Sequence, residues 1–332
     1  MRTLRRITPI GWARIAVFIG VFALFALLDL HRFPTQNNTY TIFEGFAWLG
    51  LAALGIGITI IAGEFDLSLG SAAGVAGILA IKWIGTLGLI PTLIVVALVG
   101  TAFGFIQGVL IYRLRIASLV FTLGSLIGLR GLAFMISGEN TVTIPLANLD
   151  IAKEVKRQLF IFSPFSLTTI AVFILIGLFL RYHRYGRELY AIGGGRNEAI
   201  AAGVPLARPL IIAFMLSGTL AALTGAFVSI KSGSAPPQGS ENLLLPAVTA
   251  AMIGGVSLFG GKGTALGIVT GALTIRFMSS GLSLHGAPYY QERLALGALL
   301  IIMVLLELVL DRPELRARIR LRRLRRAMAR ES

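Results

Sequence analysis

Two carboxylates interrupt an apolar run in the segment AGEFDLSLGS, residues 62–71, which places Glu64, Asp66, Ser68 and Ser71 between hydrophobic stretches. A carboxylate at membrane depth is costly and is a functional candidate by default. Two uses fit this one. An ion-coupled carrier could load a proton or a sodium ion on Glu64 or Asp66. Alternatively, Asp66 and Ser68 cap the helix that follows, setting oxygen acceptors against the orphan N–H groups of its positive dipole end. Other chemistry finds less to work with. The chain has no cysteine, so thiolate catalysis, disulfides and Cys-ligated metals are excluded. His31, His183 and His285 are scattered among predicted loops, and no metal site is expected from them. No His-Glu-x-x-His pair occurs, and serines in the apolar runs lack a His or Lys base at useful spacing. A phosphate loop fails because Gly261-Lys262 is followed by Gly263 and Val256 stands at the first glycine position. A dinucleotide fingerprint fails because Gly193-x-Gly195 meets Glu198 where the third glycine belongs. The chain therefore reads as a non-enzyme with no cofactor of its own; if ATP drives it, a partner supplies the ATPase.

The elements that position these residues are membrane helices. Of 332 residues 56% are hydrophobic and 14% charged, against about 25% charged in a soluble domain. Apolar runs near twenty residues match the ~30 Å hydrocarbon core. The fold class is an all-α polytopic membrane protein of about ten transmembrane helices, some broken or re-entrant. Spans are expected at about 12–30, 42–62, 71–89, 91–112, 117–137, 165–181, 209–230, 244–258, 265–281 and 293–310. The net charge of +15 sits mainly before the first span, between spans and after the last, as cytoplasmic segments require. Both termini are then cytoplasmic: a basic arm over 1–11, the membrane domain over 12–310 and an Arg-rich tail over 311–332. Residues 138–163 and 232–242 fall outside. The first span is too long for a cleavable signal. A faint echo links 61–77 with 253–271, each a Ser-Leu-Gly-rich break between spans, as in transporters built from internal repeats. Gly100-x-x-x-Gly104 and Gly267-x-x-x-Gly271 suit close helix packing, within the chain or between copies.

Residues 181–208, RYHRYGRELYAIGGGRNEAIAAGVPLAR, form a basic, Gly-rich cytoplasmic loop between two spans. Asn197 is a suitable N-cap, Glu198 suits the first turn, and EAIAA is strongly helix-forming. Gly203 fits the C′ position and Pro205 blocks continuation. One short helix is expected, ordered by packing, with Gly193-Gly194-Gly195 as a flexible or tightly turned approach.

At these residues the chain resembles a known family. GRELYAIGGGRNEAIAAGVP is similar to the coupling segment of ABC importer permeases of the ribose-type sugar family, within the branched-chain amino acid and sugar permease superfamily. FDLSLGS (65–71), AAMIGGVSLFGGKGTALGIVTGAL (250–273) and SSGLSLHGAPYYQE (279–292) resemble three further family segments, and the likeness extends over about 35–310. It implies a subunit in the bacterial inner membrane that translocates a ribose-like or other monosaccharide by alternating access. It implies a second permease copy or close paralogue, a cytoplasmic ATPase carrying ATP and Mg, and an extracytoplasmic sugar-binding protein. Gly186, Arg187, Ala191, Gly193, Glu198, Ala199, Ala202 and Gly203 match the coupling segment and, with Asn197, form the expected ATPase-docking surface. Asp66, Ser68, Gly70, Ser71, Gly254, Gly255, Ser257, Gly260 and Gly261 form the helix-break motif.

A sugar pathway needs hydrogen-bond partners at depth, and Gln107, Thr122, Ser125, Asn242, Thr249 and Ser279 are the candidates, each also readable as a packing polar residue. Lys153, Lys156, Arg157 and Lys231 could meet acids on the binding protein, or simply be solvated. The tail, with nine arginines from Arg312 to Arg330, is expected on anionic lipid, at about 1 kcal/mol per basic residue. The chain departs from the family pattern at Glu64, at Ser280 and in ENLLLPAV (241–248), which leaves the sugar unnamed. Rival readings are an ion-coupled carrier using Glu64 or Asp66, a permease for another solute such as branched-chain amino acids, and a membrane scaffold.

Overall fold

The computed structural model describes residues 9–145 and 148–311; most of the N-terminal arm and the Arg-rich tail beyond Asp311 lie outside the described residues. The chain is helical almost throughout. In order the helices are α1 (Pro9–Leu28), α2 (Gln36–Ile61), α3 (Leu69–Leu87), α4 (Leu89–Leu114), α5 (Ser118–Ser137), α6 (Leu149–Val155), α7 (Pro164–Tyr182), α8 (Arg184–Gly194), α9 (Arg196–Ala201), α10 (Ala207–Ser232), α11 (Leu244–Ile253), α12 (Ala265–Leu284) and α13 (Tyr289–Asp311). Two short strands, β1 (Val142–Thr143) and β2 (Ser234–Ala235), pair antiparallel.

Local signals set several of these boundaries. Thr35 caps α2 by accepting from the Asn38 N–H. Ser163 and Ser166 form a reciprocal capping box at the start of α7, with Pro164 at the first helical position. Thr264 caps α12 through the Gly267 N–H.

All ten expected spans are helices, but among the described residues eight are long and apolar enough to cross a membrane: α2, α3, α4, α5, α7, α10, α12 and α13. The apolar part of α1 is confined to Arg14–Leu28. α11 has ten residues, or ~15 Å at 1.5 Å per residue, half a hydrocarbon core. The expected outer loop at 232–242 precedes it and folds back into the bundle, so that a Cβ on Gly74 of α3 would lie 3.7 Å from the Pro237 carbonyl and 3.8 Å from Ser240 Cβ.

α2 and α10 are the centre. α2 is buried along nearly its whole length from Ile42 to Ile61, and α10 packs on α2, α3 and α4. The small-residue pairs prove to be intrachain contacts. A Cβ on Gly104 would sit 2.1 Å from the Phe214 carbonyl of α10, and one on Gly271 would sit 1.9 Å from the Ala250 carbonyl of α11.

Candidate functional site: the breaks and the coupling element

The two breaks are built alike. α2 ends with the Gly63 N–H donating to the Ile60 carbonyl and the Glu64 N–H to the Thr59 carbonyl, both at 2.9 Å. α11 ends with the Gly255 N–H donating to Met252 and the Val256 N–H to Ala251, again both at 2.9 Å. Gly63 and Gly255 have φ of +79° and +96°, so each helix closes on the same left-handed glycine turn. The same turn closes helices outside the sequence echo, at Gly203 and Gly286, so it does not by itself make the two breaks a repeat.

The first break is held by a buried polar cluster around Asp66. Its Oδ1 accepts from the Ser68 hydroxyl at 2.5 Å, the Ser68 N–H at 3.1 Å and the Gln107 amide at 3.4 Å. Its Oδ2 accepts from the Ser217 hydroxyl at 2.7 Å. Asp66, Ser68, Gln107 and Ser217 are all buried. Capping does not describe this arrangement. Ser68 occupies the N-cap position of α3 but makes no side-chain cap, because its hydroxyl is engaged by Asp66. The carboxylate instead ties the break to α4 and α10. Ser118 and Thr122 tie it to α5: Ser118 Oγ accepts from the Phe65 N–H, and Thr122 Oγ1 accepts from the Leu67 N–H, each at 3.1 Å. Ser118 and Ser217 carried no sequence signal beyond a hydroxyl in an apolar run. Gly70 and Ser71 lie in the first turn of α3, with Gly70 buried.

Glu64 points elsewhere. Its Oε1 pairs with Arg196 Nη2 of α9 at 3.0 Å, with the carboxylate side chain one-tenth exposed. It is not a free carboxylate in the bundle.

The inner loop contains more helix than its sequence suggests. Gly193 and Gly194 complete the eleven-residue α8, which buries Gly186, Glu188, Leu189 and Ile192. Only Gly195 separates it from α9, and Gly195 rather than Asn197 is the N-cap, so Asn197 lies inside the helix. The far end is as expected: Gly203 has φ of +78°, with the Val204 N–H donating to the Ala199 carbonyl at 2.9 Å.

The C-terminal end of α8 lies between the breaks. Gly193 packs so closely that a Cβ there would fall 1.9 Å from the Ile61 carbonyl and 2.7 Å from the Gly261 nitrogen. Those two atoms are themselves hydrogen bonded, Gly261 N–H to Ile61 O at 2.9 Å. A Cβ on Gly260 would lie 2.5 Å from the Gly193 carbonyl. The Tyr190 hydroxyl donates to the Gly263 carbonyl at 2.9 Å, and burial pushes its phenol above the usual range. Ser257 lies in the second break, where its hydroxyl accepts from the Phe259 N–H, and Gly254 packs against Gly267.

The nine expected docking residues separate into two groups. Gly186 and Ala199 are buried and Gly193 is pressed on the breaks, whereas Arg187, Ala191, Asn197, Glu198, Ala202 and Gly203 are exposed. A Cβ on Gly186 would lie 2.4 Å from the Phe179 carbonyl, so this glycine faces the membrane domain.

The pathway candidates do not gather in one place. Gln107 and Thr122 belong to the Asp66 region. The Ser125 and Thr249 hydroxyls donate to carbonyls in their own helices, Phe121 and Leu245. Asn242 is exposed on a short 3-10 turn. Ser279 donates to Glu292 and lies in a second polar cluster. There Lys231 pairs with Glu44 at 2.8 Å and sits 4.6 Å above the Trp48 ring, with the Arg276 guanidinium 5.6 Å from the same ring. Lys231 therefore has an internal partner, and so does Lys153, which pairs with Asp150 at 2.8 Å and lowers that carboxyl's pKa.

The described residues form a helical membrane domain with two helix breaks bridged by the α8–α9 pair. Residues 38–304 match the model of the family described as branched-chain amino acid transport system, permease component. The chain belongs to that family and is a multi-pass inner-membrane permease subunit. It is 32% identical over 301 residues to the inner membrane ABC transporter permease protein YjfF of Escherichia coli K12, covering 88% of this chain and 90% of that one. It is 29% identical to the ribose import permease protein RbsC of Bacillus subtilis 168, covering 89% and 92%. With the D-allose transport system permease protein AlsC of Escherichia coli K12 it shares 30%, covering 88% and 90%. No solved structure matches significantly.

Proposed function

We propose that the chain is the membrane subunit of an ATP-driven importer for a monosaccharide, working with a cytoplasmic ATPase, an extracytoplasmic binding protein and a second permease copy. The similarity to the ribose and allose permeases supports the substrate class. The observation that carries the mechanism is the seat of Gly193 against Ile61 and Gly261. A push on the exposed side of α9 reaches both breaks through backbone contacts, which transmit displacement because closely packed interiors yield little. The Glu64–Arg196 pair adds a second link to the first break. ATP and Mg belong on the partner, and α8 and α9 receive the work. On this reading α8, α9 and both breaks face the cytoplasm.

The test is a double change on the exposed face, Glu198→Arg with Gly203→Asp. Both positions are exposed. The strain of a non-glycine residue at the Gly203 φ costs about 1–2 kcal/mol locally. Membrane insertion is expected to be retained, while ATPase co-purification and sugar uptake are lost. Wild-type co-purification and uptake would remove α9 from the docking surface.

A further inference from the structure

A cavity of about 800 Å³ opens beside the first break, between the turn from α4 to α5 and the outer side of α9. Three guanidiniums, Arg113, Arg115 and Arg196, line it against a single carboxylate, Glu64. Glu64 is already paired with Arg196. Among the described residues neither Arg113 nor Arg115 has a salt-bridge partner. Ile116 and Leu206 contribute an apolar wall. Arg115, the C-cap that follows α4, lies in the left-handed region, φ 53° and ψ 33°, where glycine or asparagine is ordinarily favoured. An arginine kept at that strained position, on the rim of a cationic cavity, signals a use for its charge.

We propose that this cavity binds the phosphate of an anionic phospholipid headgroup. A phosphate monoanion answers the two uncompensated cations, and guanidiniums bind phosphate oxygens in bidentate fashion. The apolar wall selects a phosphate carried on a lipid over a free one. The place fits, because the cavity adjoins the end of the spanning helix α4, where a headgroup lies. Basic pockets between transmembrane helices on this side of a bilayer recognise such headgroups. The bound phosphate would sit beside the Glu64–Arg196 pair, so lipid composition would bear on the link between α9 and the first break. The lipid site rests on the proposed cytoplasmic placement of α9 and does not depend on which solute is carried.

The full-length permease in detergent is titrated with short-chain phosphatidylglycerol, short-chain phosphatidylcholine and inorganic phosphate, and its melting temperature is followed. Phosphatidylglycerol is expected to raise the melting temperature of the wild type and the other two to leave it in place. In Arg113→Gln/Arg115→Gln the apparent affinity for phosphatidylglycerol is expected to fall about thirtyfold, at one surface charge per substitution. Arg115→Gly keeps the left-handed backbone and removes one cation, and is expected to give an intermediate loss. Lys153→Gln/Lys156→Gln removes the same charge elsewhere and is expected to bind as the wild type does. An unchanged affinity in the Arg113/Arg115 double variant would overturn the site. An equal shift with inorganic phosphate would overturn the lipid assignment.

Discussion

Replacing Gly193 by valine should uncouple the transporter without dismantling it. The first methyl-bearing carbon would stand 1.9 Å from the Ile61 carbonyl oxygen and 2.7 Å from the Gly261 nitrogen. Ordinary carbon contacts lie at ~3.5–4.0 Å, so the carbonyl and α8 must separate by roughly 1.5 Å or more. That displacement breaks the hydrogen bond from Gly261 to Ile61, worth about 0.5–1.5 kcal/mol net, and overpacking adds about 1–3 kcal/mol. The sum is a fraction of the ~5–15 kcal/mol that holds a typical domain together, so the variant is expected to insert and to melt at a lower temperature. Its exposed face, with Asn197, Glu198 and Ala202, is unaltered, so ATPase co-purification is expected to persist. Sugar uptake in whole cells is expected to fall to background, because the wedge no longer seats between the breaks. Gly20→Ala, where a Cβ meets nothing within 4 Å, serves as the unaffected control. Full uptake in Gly193→Val with a normal melting temperature would refute the reasoning.

Two further substitutions probe the breaks. Tyr190→Phe removes the hydrogen bond to Gly263 and is expected to destabilise by about 0.5–1.5 kcal/mol. Since burial raises the folded-state phenol pKa, the wild-type advantage is present below the unfolded value near pH ~10 and is lost as the pH rises through the folded one. Melting curves of both proteins across that range check the sign, and a gap that widens above it would contradict the burial argument. Asp66→Ala leaves the Ser217 hydroxyl without its acceptor, at about 1–3 kcal/mol for the stranded group, while the Gln107 amide keeps the Ser68 oxygen. Asp66→Asn keeps an acceptor and is expected to melt between the two, so equal melting of all three would deny the carboxylate its structural role.

Much of this architecture is legible in the sequence, and the reasons differ by element. The span helices follow from apolar runs and the arginines beside them, but α2 begins at its Thr35 cap, six residues before the apolar run expected from 42. The break at 62–70 shows because Glu64 and Asp66 stand in hydrocarbon-like surroundings. α8 has a clear apolar face, with Leu189 and Ile192 buried on the bundle, and is masked only by the glycine run at its C-terminal end, which reads as a turn. The N-cap shifts from Asn197 to Gly195 because tertiary packing carries α8 through Gly194. The wedge itself leaves no local trace: Ile61, Gly193 and Gly261 are far apart in the chain and meet only in the fold. Lys231 reads as a solvated outer charge, since nothing near it in sequence announces Glu44 or Trp48.

On the proposed mechanism a partner's ATP hydrolysis, delivered through α9, drives import. The most direct measurement is sugar uptake into proteoliposomes holding the permease and its ATPase, with the binding protein outside and ATP inside, and with ionophores present. Uptake is expected to need the ATPase and ATP and to continue when ion gradients are collapsed. Uptake that proceeds without the ATPase and stops when the gradients collapse would contradict that mechanism and return Asp66 to the role of an ion-coupling carboxylate.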